Sequence, residues 1–250
     1  MMATALLQTL RRGPVGTSLT AANLAERVKL ICKSPLFEGL ATAQCEDIAL
    51  QARPKVIGRD EMLFMQGEPV RSLALIRTGS VKIMQLAPNG NEVILWIYGV
   101  GNVVGGLSEA MGGNHTCSAR AMDQSTALMW DSSTLQNLIL KYPQIRSNAS
   151  HILFSRLNEL EERFREVATE KVAKRVALAL LRLTKHIGKK VGGGVEVCLS
   201  REELAQMTGT TLFTTSRLLS QWGERGLVLP RRESVVVRDF FGLEQACDNL

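Results

Sequence analysis

The chain has 250 residues, of which 45% are hydrophobic, and 30 Lys and Arg against 24 Asp and Glu give a net charge of +6. That length supports two domains with their own cores. The five cysteines are an odd number without a CxxC pair, which argues against a disulfide framework or a zinc knuckle and for a reducing compartment.

Residues 1–30 are predicted to be a loose N-terminal extension. The arginines of MMATALLQTLRR follow a short apolar run, which is the reverse of a secretory signal. No stretch of the chain approaches the roughly 20 apolar residues that a membrane-spanning helix needs. We therefore expect a cytoplasmic protein without a membrane partner.

Residues 31–140 are predicted to form a β-rich domain. Between residues 54 and 132, short β-type runs alternate with glycine-bearing turns and give about seven or eight strands. The tetrapeptide PNGN at 88–91 is a hairpin turn signal. Many short strands with regular turns predict an antiparallel sandwich or jelly roll.

Residues 141–168 are predicted to contain one long helix with a heptad seam. Its apolar residues follow a 4-3-4-3 spacing over about two heptads, and charges of both signs flank them. Such a seam is typical of a parallel dimer, and the alternative is a helix packed on its own domain. The seam residues are Leu153, Leu157, Leu160, Phe164 and Val167.

Residues 169–242 carry the most specific pattern in the chain. The run SREELAQMTGTTLFTTSRLLSQW at 200–222 predicts two short helices joined at Gly209, which is a helix-turn-helix. Ser200 and Glu203 form a capping box for the first helix, and Thr211 can cap the second. The alternative is an ordinary helical hairpin.

The second of these helices has two distinct faces. Thr215, Leu218, Leu219 and Trp222 fall on one face at i, i+3, i+4 and i+7 and are expected to pack inward. The other face presents Leu212, Phe213, Ser216, Arg217 and Ser220. On that face we expect Arg217 to pair with a guanine, and Leu212 or Phe213 to contact thymine methyls.

Residues 226–239 form two β-branched runs around a basic turn, which predicts a hairpin, or wing, directly after the helix-turn-helix. From residue 169 onward the chain has 13 Lys and Arg against 9 Asp and Glu. The resulting positive net charge suits binding to phosphates. The predicted DNA contacts are Thr211, Leu212, Phe213, Thr214, Ser216, Arg217, Ser220, Arg231 and Arg232.

Together these parts resemble the cyclic-AMP-receptor/fumarate-nitrate-regulator superfamily of bacterial transcription factors. The resemblance covers roughly residues 35–240 and rests on FMQGE (64–68), TGSVKIM (78–84), GNVVGG (101–106) and SREELAQMTGTTLFTTSR (200–217). It implies an α+β fold with a β-roll sensor, a dimerisation helix and a winged helix-turn-helix. It also implies a homodimer that binds palindromic double-stranded DNA and contacts RNA polymerase.

The Ser216-Arg217 pair matches the fumarate-nitrate branch, and TGTTLFTTSRLL looks like regulators of that branch that respond to nitrogen oxides. The well-known members present arginine or glutamate where this chain has Leu212 and Phe213. Neither well-known operator is therefore expected to apply.

The resemblance places the effector pocket at Gly105, Gly106, Leu107, His115, Thr116 and Cys117. Cyclic-nucleotide members carry a glutamate for the ribose where this chain has Gly106. They carry an Arg-Ser or Arg-Thr pair for the phosphate where it has His115-Thr116. A neutral histidine cannot replace the charge-assisted arginine bonds, so cyclic AMP is not expected unless Glu109 and Arg120 substitute after a register shift.

The effector and any cofactor stay unidentified. An iron–sulfur cluster needs four thiolates, and only Cys32 and Cys45 lie near the N-terminus, so we do not expect one. Haem stays open, with His115, His151 and Cys117 as candidate iron ligands, although both histidines also suit a polar loop or a helix flank. No other metal site is predicted.

The sequence therefore predicts a sequence-specific DNA-binding regulator whose β-roll senses a small effector. No nucleophile elbow, phosphate loop or metal-ligand spacing is present in the sequence, so an enzyme is not expected. The alternative is a ligand-binding sensor that acts through protein partners rather than DNA.

Overall fold

The computed structural model describes residues 21–107 and 113–245. In chain order, its elements are α1 (Ala21–Lys33), a 3₁₀ turn (Pro35–Phe37), α2 (Thr42–Leu50), β1 (Arg53–Ile57), β2 (Met62–Phe64), β3 (Ser72–Thr78), β4 (Val81–Leu86), β5 (Glu92–Tyr98), β6 (Val103–Gly105), β7 (Ser118–Ala121), β8 (Ser125–Asp131), α3 (Ser132–Lys141), α4 (Gln144–Thr169), α5 (Val172–His186), β9 (Lys189–Val191), β10 (Gly194–Cys198), α6 (Arg201–Thr208), α7 (Leu212–Glu224), β11 (Val228–Pro230), β12 (Ser234–Val237) and α8 (Phe240–Gln245). This order of a β-rich domain, a long helix and a winged helix confirms the predicted fold class.

The β-rich domain is a roll of two antiparallel sheets. Over the described residues each sheet has four strands, in the orders β1-β8-β3-β6 and β2-β7-β4-β5. Side chains that alternate along these strands form an apolar core between the sheets, with Ile57, Ile76, Val81 and Val104 fully or nearly fully buried. The predicted hairpin at 88–91 joins β4 to β5, and the Ala87 N–H donates to the Asn91 carbonyl.

An N-terminal helical layer covers the sheet that contains β3 and β8. Leu24, Val28 and Ile31 share one face of α1 at i, i+4 and i+7 and pack into this layer's core. The expectation of a loose extension over residues 1–30 is therefore wrong for residues 21–30, because this apolar face is buried. Residues 1–20 of that prediction lie outside the described residues.

Helix α4 runs for 26 residues, about 39 Å, between the two domains. Its inner face is fixed by polar contacts with the roll. The Asn148 amide donates to the carbonyls of Leu36 and Glu38, and Arg156 Nη2 donates to the Val103 carbonyl at 2.7 Å. Three residues of the seam that the sequence predicts, Leu153, Leu157 and Leu160, flank Arg156 on the helix and line the same cavity against the roll.

The C-terminal domain is a winged helix built on α5, α6 and α7. Its sheet has the order β11-β12-β10-β9 within the described chain, and sequence analysis missed the short β9. Trp222, Leu219 and Leu180 are fully buried in its core. Ile94 and Ile97 of β5 belong to the same apolar cluster, so the roll and the winged helix share one core.

Candidate functional site: a nucleic-acid interface and an effector pocket

The first helix of the helix-turn-helix begins with the predicted capping box. The Glu203 N–H donates to Ser200 Oγ at 3.1 Å, and Glu203 Oε2 accepts from the Ser200 N–H at 2.8 Å. The helix ends at Gly209, whose φ of 62° lies in the left-handed region that glycine adopts without a steric penalty. Local sequence chemistry therefore sets both ends of α6.

The second helix, α7, begins where Thr211 caps it: the Thr214 N–H donates to Thr211 Oγ1 at 3.2 Å. The inward face is as predicted, with Thr215, Leu218, Leu219 and Trp222 buried. On the outward face Leu212 is 51% and Phe213 78% exposed. Arg217, Thr211 and Ser220 are also exposed, whereas Thr214 and Ser216 are half-buried.

Two arginines that sequence analysis missed brace the turn of the helix-turn-helix. Arg175 of α5 donates to the carbonyls of Thr208 and Gly209, at 3.2 and 3.3 Å. Arg163 of α4 donates to the Met207 carbonyl at 3.0 Å, and also to the Ile94 and Leu95 carbonyls of β5. These bonds satisfy carbonyls at the C-terminal end of α6 and connect the central helix to it.

The predicted wing is the β11–β12 hairpin, and its two arginines are not equivalent. Arg231 Nη1 lies 2.6 Å from Glu196 Oε1, which also accepts from the Ser234 hydroxyl. Arg232 is exposed at the tip of the turn. Arg231 is therefore partly neutralised by Glu196, a pairing that links residues 35 positions apart and leaves no local sequence signal.

The predicted seam of α4 lies largely in solvent. Phe164 is 76% exposed, and Leu153, Leu157 and Val167 are exposed as well, whereas Leu160 is half-buried. An apolar stripe of this kind on a charged helix is unusual for an isolated chain. Leu153, Leu157 and Leu160 also line a cavity against the roll, so the alternative of a helix packed on its own domain describes part of the seam but not the exposed Phe164 and Val167.

The six residues predicted for the effector pocket come together around one cavity of about 310 Å³. It lies between the roll and α4. The lining residues are Phe64, Val70, Ile83, Trp96, Tyr98, Val104, Gly105, Gly106, Leu107, Asn114, His115, Thr116, Cys117, Leu153, Arg156, Leu157 and Leu160. Sequence analysis missed Trp96, Tyr98 and Arg156, because their spacing in the strand and helix carries no motif.

His115 is held against the pocket wall by stacking. Its ring lies 3.7 Å from the Phe64 ring, at an interplanar angle of 8°. Burial lowers the pKa of His115 and raises the pKa of the neighbouring Cys117 thiol. Both side chains are therefore neutral near pH 7, and neither supplies charge to the pocket.

The backbone at Gly106 does not admit the glutamate of the cyclic-nucleotide pattern. Gly106 has a φ of 55°, and a Cβ there would lie 2.9 Å from Leu73 Cβ and 3.1 Å from Leu73 Cα. Arg120 does not substitute for a phosphate-binding arginine, since its Nη2 lies 3.4 Å from Glu92 Oε1 in a separate cleft. Glu109 lies outside the described residues.

The candidate haem and cluster ligands do not assemble. His151 is exposed on α4 and does not line the cavity, and one face of His115 is covered by Phe64. Cys32 and Cys45 lie on α1 and α2, apart from Cys117 on the roll. Within residues 21–107 and 113–245, no group of three or more His, Cys, Asp or Glu could hold a metal ion. Among the described residues the candidate thiolates therefore do not assemble an iron–sulfur cluster site, and His115 and His151 do not meet as a pair of haem ligands.

Over the same part of the chain, no helix is both long and apolar enough to cross a bilayer.

Comparison with known proteins identifies both halves of the chain. The cyclic nucleotide-binding domain family matches residues 54–142, and the Crp-like helix-turn-helix domain family matches residues 174–246. A CRP-like cAMP-activated global transcriptional regulator of Mycobacterium tuberculosis is 29% identical over 213 residues, which cover 84% of this chain and 95% of that protein. The fumarate and nitrate reduction regulatory protein of Escherichia coli is 24% identical over 196 residues, covering 77% and 78%.

Among solved structures, FixK2 of Bradyrhizobium japonicum has the same fold, with a TM-score of 0.69 at 24% identity. The match covers 80% of this chain and 96% of FixK2. Because both domain families match and the similar proteins are regulators of this kind, the chain belongs to the CRP/FNR family of transcription regulators.

Proposed function

We propose that the chain is a homodimeric, effector-gated transcription regulator that binds a two-fold symmetric DNA site through α7. The observation that carries this proposal is the outer face of α7. Leu212, Phe213 and Arg217 are exposed there, on a helix whose opposite face is buried in the domain core. A rigid helix with exposed arginine and apolar tips suits the major groove.

The contacts divide into two kinds. Arg217 reads a guanine and Leu212 or Phe213 meets thymine methyls, while Ser216 lies on the same side of α7. The remaining predicted residues contact the DNA backbone and set the register of the protein on the duplex. These are Thr211, Thr214, Ser220, Arg231 and Arg232.

The exposed seam of α4 is the proposed dimer interface. Pairing of Leu157, Phe164 and their seam neighbours across a two-fold axis would bury apolar side chains that one chain leaves in solvent. It would also present two α7 helices to half-sites about 34 Å apart, one turn of DNA. A palindromic operator follows from that symmetry.

Gating is proposed to pass through α4. Leu153, Arg156 and Leu157 of this helix line the cavity, and Arg163, two turns further on, donates to the Met207 carbonyl of α6. A ligand in the cavity would therefore contact the helix that carries both the dimer seam and a brace of the helix-turn-helix. A cytoplasmic location and a contact with RNA polymerase belong to the same proposal.

The salt dependence of DNA binding tests this function. Affinity for duplex DNA, measured by fluorescence anisotropy, is expected to fall roughly thousandfold or more between 50 and 200 mM salt if six or more phosphates are contacted. Arg232→Ala is expected to lower the slope of log K against log salt by about 1, and Arg231→Ala by less because Glu196 already pairs with Arg231. Salt-independent association would instead favour the protein-partner alternative.

A further inference from the structure

The effector cavity combines apolar walls with a few buried polar groups. Phe64, Val70 and Ile83 are among the wall residues. Tyr98, only 6% exposed, has a buried hydroxyl without a hydrogen-bond partner among the described residues, and the buried Trp96 Nε1 has none either. A buried donor without a partner costs free energy, so each of these groups favours a ligand that accepts a hydrogen bond.

Arg156 brings a positive charge to the same cavity. Its guanidinium lies 4.5 Å from the centroid of the Tyr98 ring, and its Nη2 donates to the Val103 carbonyl at 2.7 Å. No carboxylate of the described residues forms an ion pair with it. The guanidinium has five N–H donors and stays protonated, so most of its hydrogen-bonding capacity is left for a ligand.

The charge balance of the lining is one-sided. Among the described lining residues Arg156 is the only one with a formal charge, and none is Asp or Glu. His115 and Cys117 are neutral near pH 7, as their pKa directions require. Glu159, on the next turn of α4 and outside the lining, attracts this guanidinium electrostatically but forms no ion pair with it. An anionic group on the ligand would give the half-buried guanidinium a direct partner inside the cavity.

We infer that this cavity binds a compact organic carboxylate whose flat or hydrocarbon body packs on the apolar walls. This inference rests on the proposed function, because it names the effector class of the same pocket. A single carboxylate matches the one guanidinium bidentately and can also accept from the Tyr98 hydroxyl and Trp96 Nε1. A volume of about 310 Å³ is at the small end of ligand sites and suits a compact molecule.

A nucleotide fits this chemistry less well. Gly106 stands where a ribose-binding glutamate would be, and its positive φ and the nearby Leu73 leave no room for a side chain. A carboxylate with an apolar body needs no acceptor for sugar hydroxyls. Because none of the described lining residues is acidic, the pocket favours a carboxylate over a nucleotide.

Isothermal titration of the full-length protein with matched probes tests the inference. The probes are benzoate, 2-naphthoate, indole-3-acetate and octanoate, each compared with its neutral amide, and cyclic AMP. At least one carboxylate is expected to bind about tenfold or more tightly than its amide. Arg156→Met is expected to remove that preference, Arg156→Lys to keep part of it, and Arg146→Met, on the exposed part of α4, to leave it unchanged.

Tyr98→Phe provides a second variant, because it keeps the ring under Arg156 and removes only the hydroxyl. It is expected to weaken the preferred carboxylate severalfold while the circular dichroism melt stays close to that of the wild type. Equal binding of acids and amides, no binding of any probe, or tight binding of cyclic AMP alone would overturn the inference. Salt-dependent DNA binding, measured on the same preparation, reports separately on the proposed function.

Discussion

At the scale of single residues, Glu203 connects the DNA-binding domain to the sensor. Its carboxylate accepts from the Ser200 N–H at the start of α6 and from Lys82 Nζ of β4 at 3.0 Å. Burial acts to raise the pKa of Glu203, but the bonds from Ser200 and Lys82 outweigh it, and the pKa lies below its ordinary value of 4.5. One side chain therefore caps a helix and pairs with a buried lysine.

Glu203→Ala is expected to destabilise the protein by about 3 kcal/mol, because it leaves Lys82 buried without its partner and removes half of the capping box. Urea unfolding at pH 7 measures the loss. Since the folded-state pKa is depressed, the contribution of Glu203 is present above pH 4.5 and is lost as pH falls through the lowered pKa. The gap between wild type and variant should therefore narrow in acid.

The matched control is Glu202→Ala, because Glu202 is the exposed neighbour on the same turn. It is expected to change the free energy of unfolding by less than about 0.5 kcal/mol. Equal losses for the two variants, or a gap that does not change with pH, would mean that the Lys82–Glu203 pair contributes little.

Arg217→Ala tests base reading on the outer face of α7. It is expected to reduce the ratio of affinities for specific and scrambled DNA by tenfold or more, since one bidentate arginine–guanine pair gives about 1–3 kcal/mol of discrimination. Competition anisotropy with the two duplexes measures the ratio. Arg225→Ala, at the exposed opposite end of α7, is the control and should leave the ratio unchanged. An unchanged ratio in Arg217→Ala would remove Arg217 from the base contacts.

At the scale of elements, the parts predicted best are those whose signals are local. The ends of α6 and the start of α7 follow from Ser200, Glu203, Gly209 and Thr211, which lie within twelve positions of one another. The four inward residues of α7 follow from helical spacing alone. The hairpin at 88–91 likewise depends on its own turn residues.

Other elements depend on partners that are distant in the sequence. The apolar face of helix α1 packs against α2 and the roll. The composition of α1 alone does not predict this contact. The cavity was located from glycines and a histidine, but its polar groups come from β5 and from α4, about sixty positions apart. Trp96 and Tyr98 share one face of β5, but they meet Arg156 only through tertiary packing, so no spacing in the sequence reveals the three together.

The seam of α4 gives a prediction at this scale. Phe164→Glu is expected to shift the protein from dimer to monomer, because it places a charge in the centre of a proposed apolar interface. Sedimentation velocity over a range of concentrations measures the shift. Leu140→Glu is the control, since Leu140 is 73% exposed on α3, outside the seam. A wild-type protein that is monomeric at micromolar concentration would contradict the proposed interface.

At the scale of the whole molecule, the sensor and the DNA-binding domain are joined by a shared core and by α4. Ile94 and Ile97 of the roll are buried with Trp222 of α7 in one cluster. Arg163 then ties α4 to both β5 and the end of α6. Movement of α4 would therefore change contacts on both domains at once, which is the physical basis of the proposed effector control of DNA binding.

Sequence-specific binding by a dimer is measured most directly by selecting bound sequences from a random pool of duplex DNA with the full-length protein at about 150 mM salt. We expect enrichment of one two-fold symmetric sequence whose half-site centres lie about one helical turn apart. Phe164→Glu, which is expected to separate the protomers, should fail to enrich the full palindrome. A wild-type protein that enriches no sequence, or only a single asymmetric one, would contradict sequence-specific binding by a dimer.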